Sequence, residues 1–249
     1  MRLYLSILKS KIFRFFGRSL RVKDSWEGMP SQFHDMASFL NWFDAAKSVD
    51  ESLRNAEIDW DGRFKQVEQF KFVPKKNALE IGFGGGRLLS QSAKDFGHVY
   101  GVDIHHNFEM SKLFLNSQGI KNFTLLHRDQ IDSVPDGSID FVYSFIVFQH
   151  FDSMDEVDFY LDQIDRILST DGVAHIYFGK NQSDGIKVTS EKDFILRDCS
   201  LFINPVAMRD RVSTRFNVIA YSDVLPKKLN GDFGESVQAM ILFKKQVNH

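Results

Sequence analysis

The sequence is poor in cysteine, in proline and in net charge: it has one cysteine, five prolines and a formal charge of -2 over 249 residues. Cys199 alone cannot build an internal disulfide framework or a zinc site of several thiolates, and it suits a reducing, cytosolic compartment. Near-balanced charge argues against a footprint spread over nucleic acid. Long apolar runs are missing too, none approaching the ~20 residues that a membrane-crossing helix needs. Core material is abundant, with 43% hydrophobic residues and 25 Phe. That excludes wholesale disorder and fits one domain with an accessory segment, or at most two small domains.

The chain is organised around Asn77 to Arg87, NALEIGFGGGR. Ala78, Leu79 and Ile81 form a short apolar run that breaks into Gly82, Gly84, Gly85 and Gly86 and resumes at Leu88 and Leu89. A buried strand, a glycine-rich turn and a helix start are expected. Such a turn lets a ligand approach bare main chain at a helix N-terminus, so the first expectation is a nucleotide-like ligand. A dinucleotide fingerprint, G-x-G-x-x-G, would require glycine where Arg87 stands. The pattern is E-x-G-x-G-x-G, with Glu80 two residues ahead of the first glycine.

The rest of the chain alternates. Strands are expected at Ala78–Ile81, Val99–Val102, Phe123–Leu126, within Ile139–Val147 and at Val173–Phe178, with helices at Arg87–Phe96, about Asn107–Gln118 and from Ser153 to Leu168. Ser153 and Glu156 have capping-box spacing. Asn204-Pro205 reads as a helix start, and 179–203 as an irregular, polar loop. Two last runs, Asn217–Val224 and Ser236–Phe243, read as an antiparallel pair. Strand and helix in alternation imply a parallel sheet with helices on both faces.

Ahead of the first strand, Ser25–Pro30 reads as a loop, Ser31 to about Phe43 as a helix, and about Asp61–Phe72 as another. Residues 1 to 23 carry Arg2, Lys9, Lys11, Arg14, Arg18, Arg21 and Lys23 and no acid, interleaved with Leu, Ile and Phe. Lysines interrupt the apolar stretch and no small-residue cleavage site follows, so it fails as a signal peptide. Two readings stand side by side: a basic amphipathic helix on an anionic membrane surface or a partner, and a helix packed on its own domain with a solvated basic face.

LEIGFGGGR, VYGVDI and SVPDGSIDFVYSFIVFQHF, in that order, resemble the three signature regions of the class I S-adenosylmethionine-dependent methyltransferases, in their small-molecule branch. The resemblance covers about residues 70 to 245. It implies a Rossmann-like α/β fold with a mostly parallel seven-stranded sheet, a closing antiparallel β-hairpin and an α-helical N-terminal cap. It also implies S-adenosylmethionine as cofactor. The organisation read from it is a basic N-terminal helix at 1–23, a helical cap at 24–73 and the cofactor-binding domain at 74–249.

Through the resemblance, Glu80 faces the methionine end of the cofactor, and Gly82, Gly84 and Gly86 admit its amino acid and ribose. Asp103, at the end of the second strand, reads the ribose hydroxyls, as a carboxylate accepting two hydrogen bonds can. Ile104 packs on the adenine, Asp129 and Gln130 take its amino group and ring, and Ser144 and Phe145 line the methionine side. Trp60, Arg63 and Phe64 are candidate lid contacts. Arg87 is a helix-start surface residue, or reaches a carboxylate.

An oxygen acceptor must lose a proton, and a base with pKa near neutrality helps. His150 is the candidate catalytic residue, because Gln149-His150 lies just beyond the fourth strand. His105 and His106 are adjacent, and adjacent histidines on a loop point apart, so no metal is expected. His127 and His175 are expected to be buried and hydrogen-bonded.

The reading is a methyltransferase acting on an oxygen of a sugar, glycan or small polar metabolite, cytoplasmic or at the inner face of the membrane, with no nucleic-acid partner. A quinone or lipid-like acceptor is the alternative within the class, and a non-catalytic methyltransferase-like binding subunit the alternative outside it. Neither the acceptor nor the oligomeric state is legible.

Overall fold

The computed structural model describes residues 22–181, 185–188, 199–222 and 238–246. The basic segment expected at residues 1–23 lies outside the described residues except for its last two. Nine strands are described: β1 (Asn77–Ile81), β2 (His98–Asp103), β3 (Phe123–His127), β4 (Ile139–Ser144), β5 (Leu168–Gly179), β6 (Ile186–Val188), β7 (Leu201–Ile203), β8 (Phe216–Ser222) and β9 (Gln238–Lys245). Seven of them form one sheet in the order β3-β2-β1-β4-β5-β9-β8. β1 to β5 pair in parallel, and β9 runs antiparallel to both β5 and β8. This is the expected α/β class I fold with its closing hairpin. β1 has β2 on one side and β4 on the other, and such a reversal of strand order opens a crevice at the carboxyl ends of the strands.

All six residues of β4 are buried, as a central parallel strand covered on both faces requires. The described helices are α1 (Val22–Gly28), α2 (Met36–Asp44), α3 (Val49–Asp59), α4 (Arg87–Asp95), α5 (Phe108–Ser117), α6 (Met154–Ile167) and α7 (Pro205–Ser213). α6 and α7 bury Val157, Leu161, Ile164, Met208 and Val212 with Val142 and Ile176 of the sheet. On the opposite face Phe39, Leu40, Trp60, Phe64, Leu88, Leu89 and Phe114 pack with Phe141 and Tyr143.

The segment before β1 departs most from the expectations. Ser25–Pro30 is not a loop, since α1 runs to Gly28 and a 3₁₀ turn follows at Met29–Gln32. The helix expected from Ser31 starts at Met36, where Asp35 accepts a hydrogen bond from Ser38 N. α3 turns only a narrow stripe inward, Val49, Leu53 and Ala56 with Ser52, of which only Ser52 and Ala56 are fully buried, so its apolar signal is weak. Polar ends help to hold it: Ser48 Oγ accepts from Glu51 N, and Glu51 Oε2 accepts from Lys47 N at 2.7 Å.

Nor is Asp61–Phe72 one helix. A π turn at Trp60–Phe64 and a 3₁₀ turn at Glu68–Lys71 replace it. A straight helix would put Phe64 and Phe70 on different faces, whereas both pack edge-on against Phe141. Further along, Ser153 makes no capping hydrogen bond, while Glu156 Oε2 accepts from Asp152 N at 2.8 Å. The stretch read as a loop after β5 holds the β6–β7 pair, and Asn204 caps α7 as its sequence indicates.

Candidate active site

The glycine turn leaves β1 with Gly82, Gly84 and Gly86 all at positive φ, 75°, 51° and 89°. Asp103, at the end of β2, ties the turn to the sheet. Its Oδ2 accepts from Gly84 N at 2.7 Å, and its Oδ1 accepts from Ile104 N at 2.7 Å and His105 N at 3.2 Å. From behind, His105 Nε2 and Ser111 Oγ both meet Gly84 O at 3.0 Å. A carbonyl only accepts, so Nε2 carries the proton, and Asn107 N donating to Nδ1 at 3.1 Å makes the ring neutral. Burial holds its pKa below the ordinary histidine value despite Asp103. Neither His105 nor Ser111 in this bracing role was read from the sequence. His106 points away, to Glu27 at 3.5 Å, and no group of three or more His, Cys, Asp or Glu side chains converges among the described residues.

The helices before β1 cover this turn. A Cβ on Gly82 would meet Val147 Cγ2 at 2.3 Å, and one on Gly84 would meet the Phe43 ring at 2.7 Å. Glycine is therefore required both for the backbone angles and for the closeness of these two neighbours. Val147 follows Ile146, a β-branched residue held at φ 60°. Such a conformation is a steric outlier, kept only where the surroundings over-determine it. Trp26 of α1 adds a ring 4.6 Å from that of His150 and 6.2 Å from that of Phe43.

Next to the turn lies a buried polar corner. Glu80 is 3% exposed, and burial pushes its carboxyl up to about 8, against the hydrogen bond from Tyr143 and the charge of Arg87, which lower it. Tyr143 Oη is 3.1 Å from Glu80 Oε2 and 2.6 Å from Ser92 Oγ, and Ser92 donates to Leu89 O. Tyr143 donates to the carboxylate when Glu80 is ionised. When Glu80 is protonated the chain runs from Glu80 through Tyr143 and Ser92 to the Leu89 carbonyl, each hydroxyl giving one proton. Burial, seconded by Glu80, raises the Tyr143 hydroxyl well above the ordinary tyrosine value.

Arg87, first residue of α4, donates from Nη1 to Asp59 Oδ2 at 2.7 Å, with Nε 3.8 Å from Asp44. It is thus a tie to the segment before β1 rather than a surface residue. Arg63 donates from Nε to the other oxygen of Asp59 at 2.8 Å. Its guanidinium stands 4.6 Å over the Phe145 ring and 5.8 Å from that of Tyr177. None of the Arg63–Asp59–Arg87 linkage was read from the sequence; acidic and basic residues at i, i+4 on one helix, such as Asp59 and Arg63, were the available signal.

The remaining expected residues scatter. Glu80, the glycines, Asp103 and the half-buried Ile104 lie at the adjacent ends of β1 and β2. Ser144 is fully buried and its hydroxyl donates to Ile81 O at 2.9 Å, which commits it to the sheet. Phe145 is buried between Arg63 and Arg87. Asp129 has a side chain 83% exposed, 3.4 Å from His127 Nδ1, and Gln130 Oε1 accepts from His127 N at 3.1 Å, so Gln130 serves its own turn. Trp60 is core, donating to Asp95 at 2.7 Å, and Phe64 is fully buried. His175 is buried as expected but neither ring nitrogen has a hydrogen-bond partner, a correction, and burial lowers its pKa to about 3.

The residues present fit S-adenosylmethionine in kind: a carboxylate at the end of β2, a glycine turn at positive φ, and a buried acid beside the turn. Residues 79–176 match the family model described as a methyltransferase domain. Among solved structures, the chain is similar to a protein from Pyrococcus horikoshii OT3, at 14% identity, TM-score 0.59, covering 84% of this chain and 96% of the other. It is also similar to an S-adenosylmethionine-dependent methyltransferase from Clostridium acetobutylicum ATCC 824, at 13% identity, TM-score 0.58, covering 85% and 98%. A third is the 1,6-didemethyltoxoflavin-N1-methyltransferase of Burkholderia thailandensis with bound 1,6-didemethyltoxoflavin and S-adenosylhomocysteine, at 16% identity, TM-score 0.57, covering 88% of each chain. No curated protein matches the chain.

Proposed function

Since the chain carries a class I S-adenosylmethionine-dependent methyltransferase domain, we propose that it methylates an oxygen nucleophile on a sugar, glycan or other small polar metabolite. The cofactor supplies a methyl group already activated on a sulfonium sulfur. Asp103 holds the ribose hydroxyls, Glu80 faces the cationic methionine end, and the glycine turn receives the main body of the donor. Asp129, Gln130 and Ile104 are assigned to the adenine side, and Ser144 and Phe145 to the methionine side. Phe43, Val147 and Trp26, packed over the turn and His150, exclude water from the transfer line.

The observation that carries the oxygen reading is the place of His150. It ends the 3₁₀ turn Phe148–His150 just after β4, half-buried, with its ring against Trp26. A base there takes the proton that a hydroxyl must lose as its oxygen is methylated. His150→Ala is expected to leave cofactor affinity intact and to slow transfer of label from the cofactor into fractionated cell extract at least ~100-fold. An unchanged rate removes His150 from the mechanism, and a product methylated at nitrogen, as the Burkholderia relative's name describes for that enzyme, replaces the oxygen reading.

The division at residues 23 and 73 belongs to the same proposal, as does a working place at the inner face of a membrane. Among the described residues no helix is long and apolar enough to cross a membrane. Removing residues 1–23 is expected to abolish sedimentation with anionic liposomes; full-length protein that never sediments ends that part of the reading.

A further inference from the structure

We propose that Arg63 receives the carboxylate of the methyl acceptor, which makes the acceptor a small organic acid. This rests on the small polar acceptor proposed above and narrows its class.

Arg63 sits in the π turn Trp60–Phe64, and its side chain is 5% exposed. π turns are rare and recur at functional sites. Its Nε is satisfied by Asp59, but Nη1 is buried with no hydrogen-bond partner. A guanidinium is permanently charged, and leaving its donors unpaired in the interior costs more than leaving a neutral group so. Nor does Arg63 own its counter-charge. Asp59 gives one oxygen to Arg63 and the other to Arg87, and Asp44 lies toward Arg87. Two arginines and two aspartates balance in number, so what Arg63 lacks is an acceptor for Nη1, and Glu80, whose carboxyl burial raises to about 8, stays largely protonated at neutral pH.

The position assigns the missing hydrogen-bond partner of Nη1 to the carboxylate of the methyl acceptor. The donor residues Gly82, Gly84 and Asp103 stand at the ends of β1 and β2. The Arg63 guanidinium stands over Phe145, which follows β4, and near Tyr177 of β5. It is therefore displaced by two to three strands from the ribose-reading acid, at the methionine end of the donor to which Phe145 is assigned, and that end carries the methyl group to the acceptor. A planar carboxylate pairs well with the N–H fork, and the flanking rings supply an apolar wall for the rest of a small acid.

The test uses full-length protein saturated with S-adenosylhomocysteine, titrated calorimetrically with benzoate and with its neutral isostere benzamide. Wild type is expected to bind benzoate at least about tenfold more tightly, and Arg63→Gln to lose that preference while keeping S-adenosylhomocysteine affinity within about threefold. Absence of the preference in wild type, or its survival in Arg63→Gln, overturns the proposal. So does a tenfold or greater loss of S-adenosylhomocysteine affinity in Arg63→Gln if its decarboxylated analogue is unaffected, because the guanidinium then serves the donor's carboxylate. Should Arg63→Gln fail to fold by circular dichroism, Arg63→Lys decides: it keeps the charge but loses the planar fork, and unchanged benzoate affinity counts against the proposal. None of these readouts depends on His150 or on the atom methylated, so the oxygen reading fails or stands separately.

Discussion

The carboxyl ends of β1 and β2 and those of β4 and β5 are built in opposite ways. At β1–β2 the chain folds on its nearest neighbours: strand, glycine turn and helix are consecutive, and Asp103 closes the turn through main-chain N–H groups. At β4–β5 the groups converge from far apart, Asp44 and Asp59 from two helices, Arg63 from a π turn, Arg87 from the start of α4, and Phe145 and Tyr177 from the sheet. A pocket for a common donor is served by a local motif. The proposed acceptor side is assembled from side chains that no local motif constrains.

Four variants test how far the two halves are separate. The largest effect is expected from Asp103→Ala, which leaves three main-chain donors without their acceptor. Affinity for S-adenosylhomocysteine should fall roughly a hundredfold, about 3 kcal/mol, by calorimetry. A loss as large from Arg63→Gln would erase the distinction between donor and acceptor sides.

Arg87→Ala comes next. It strips Asp59 and Asp44 of a partner, and denaturant unfolding should show a loss of about 2–3 kcal/mol. In the double variant with Asp59→Asn the two losses should not add, since the groups form one linkage.

Glu80 gives a smaller, pH-dependent effect. Its folded pKa of about 8 lies above the ordinary 4.5, so the folded state binds the extra proton between these values. Stability from this group is therefore full below about pH 4.5 and lost as pH rises through 8. Glu80→Gln should gain on wild type by roughly 3 kcal/mol between pH 5 and pH 8, read from thermal or urea unfolding. An equal difference at both pH values would mean that Glu80 is already ionised, and the corner would then hold a third anion beside Asp44 and Asp59.

His175 is expected to give the smallest change. It lies in the same row across the sheet, Glu80 beside Tyr143 beside His175. Its folded pKa of about 3 lies below the ordinary 6.5, so its contribution is present above 6.5 and lost as pH falls toward 3. His175→Leu should be stabilised by about 1 kcal/mol at pH 7, because two orphaned ring nitrogens disappear, and by more at pH 5. A destabilised variant would mean that the imidazole finds a partner in solution.

Much of the sheet was legible. Each parallel strand is a short apolar run bounded by turn residues, and burial on both faces writes that pattern directly. Asp103 was legible because it ends such a run. α3 was not, because its inward stripe is narrow, Val49, Leu53 and Ala56 with the polar Ser52, between charged residues. The π turn was not, because the demand that Phe64 and Phe70 both reach Phe141 is a property of the packed state. The hydrogen bond of Ser144, the last residue of β4, to Ile81 O was not legible either, since it joins neighbouring strands that are distant in sequence.

By itself, then, the sequence determined the fold class, the run of parallel strands and the glycine turn of NALEIGFGGGR, since these depend on backbone geometry and on contacts between residues close in the chain. The tertiary structure alone decided that Phe43 and Val147 close over that turn, that Arg87 ties to Asp59, and that Arg63 is buried with an unpartnered nitrogen. Those facts depend on where segments distant in sequence meet, and on which donors the burial leaves without an acceptor.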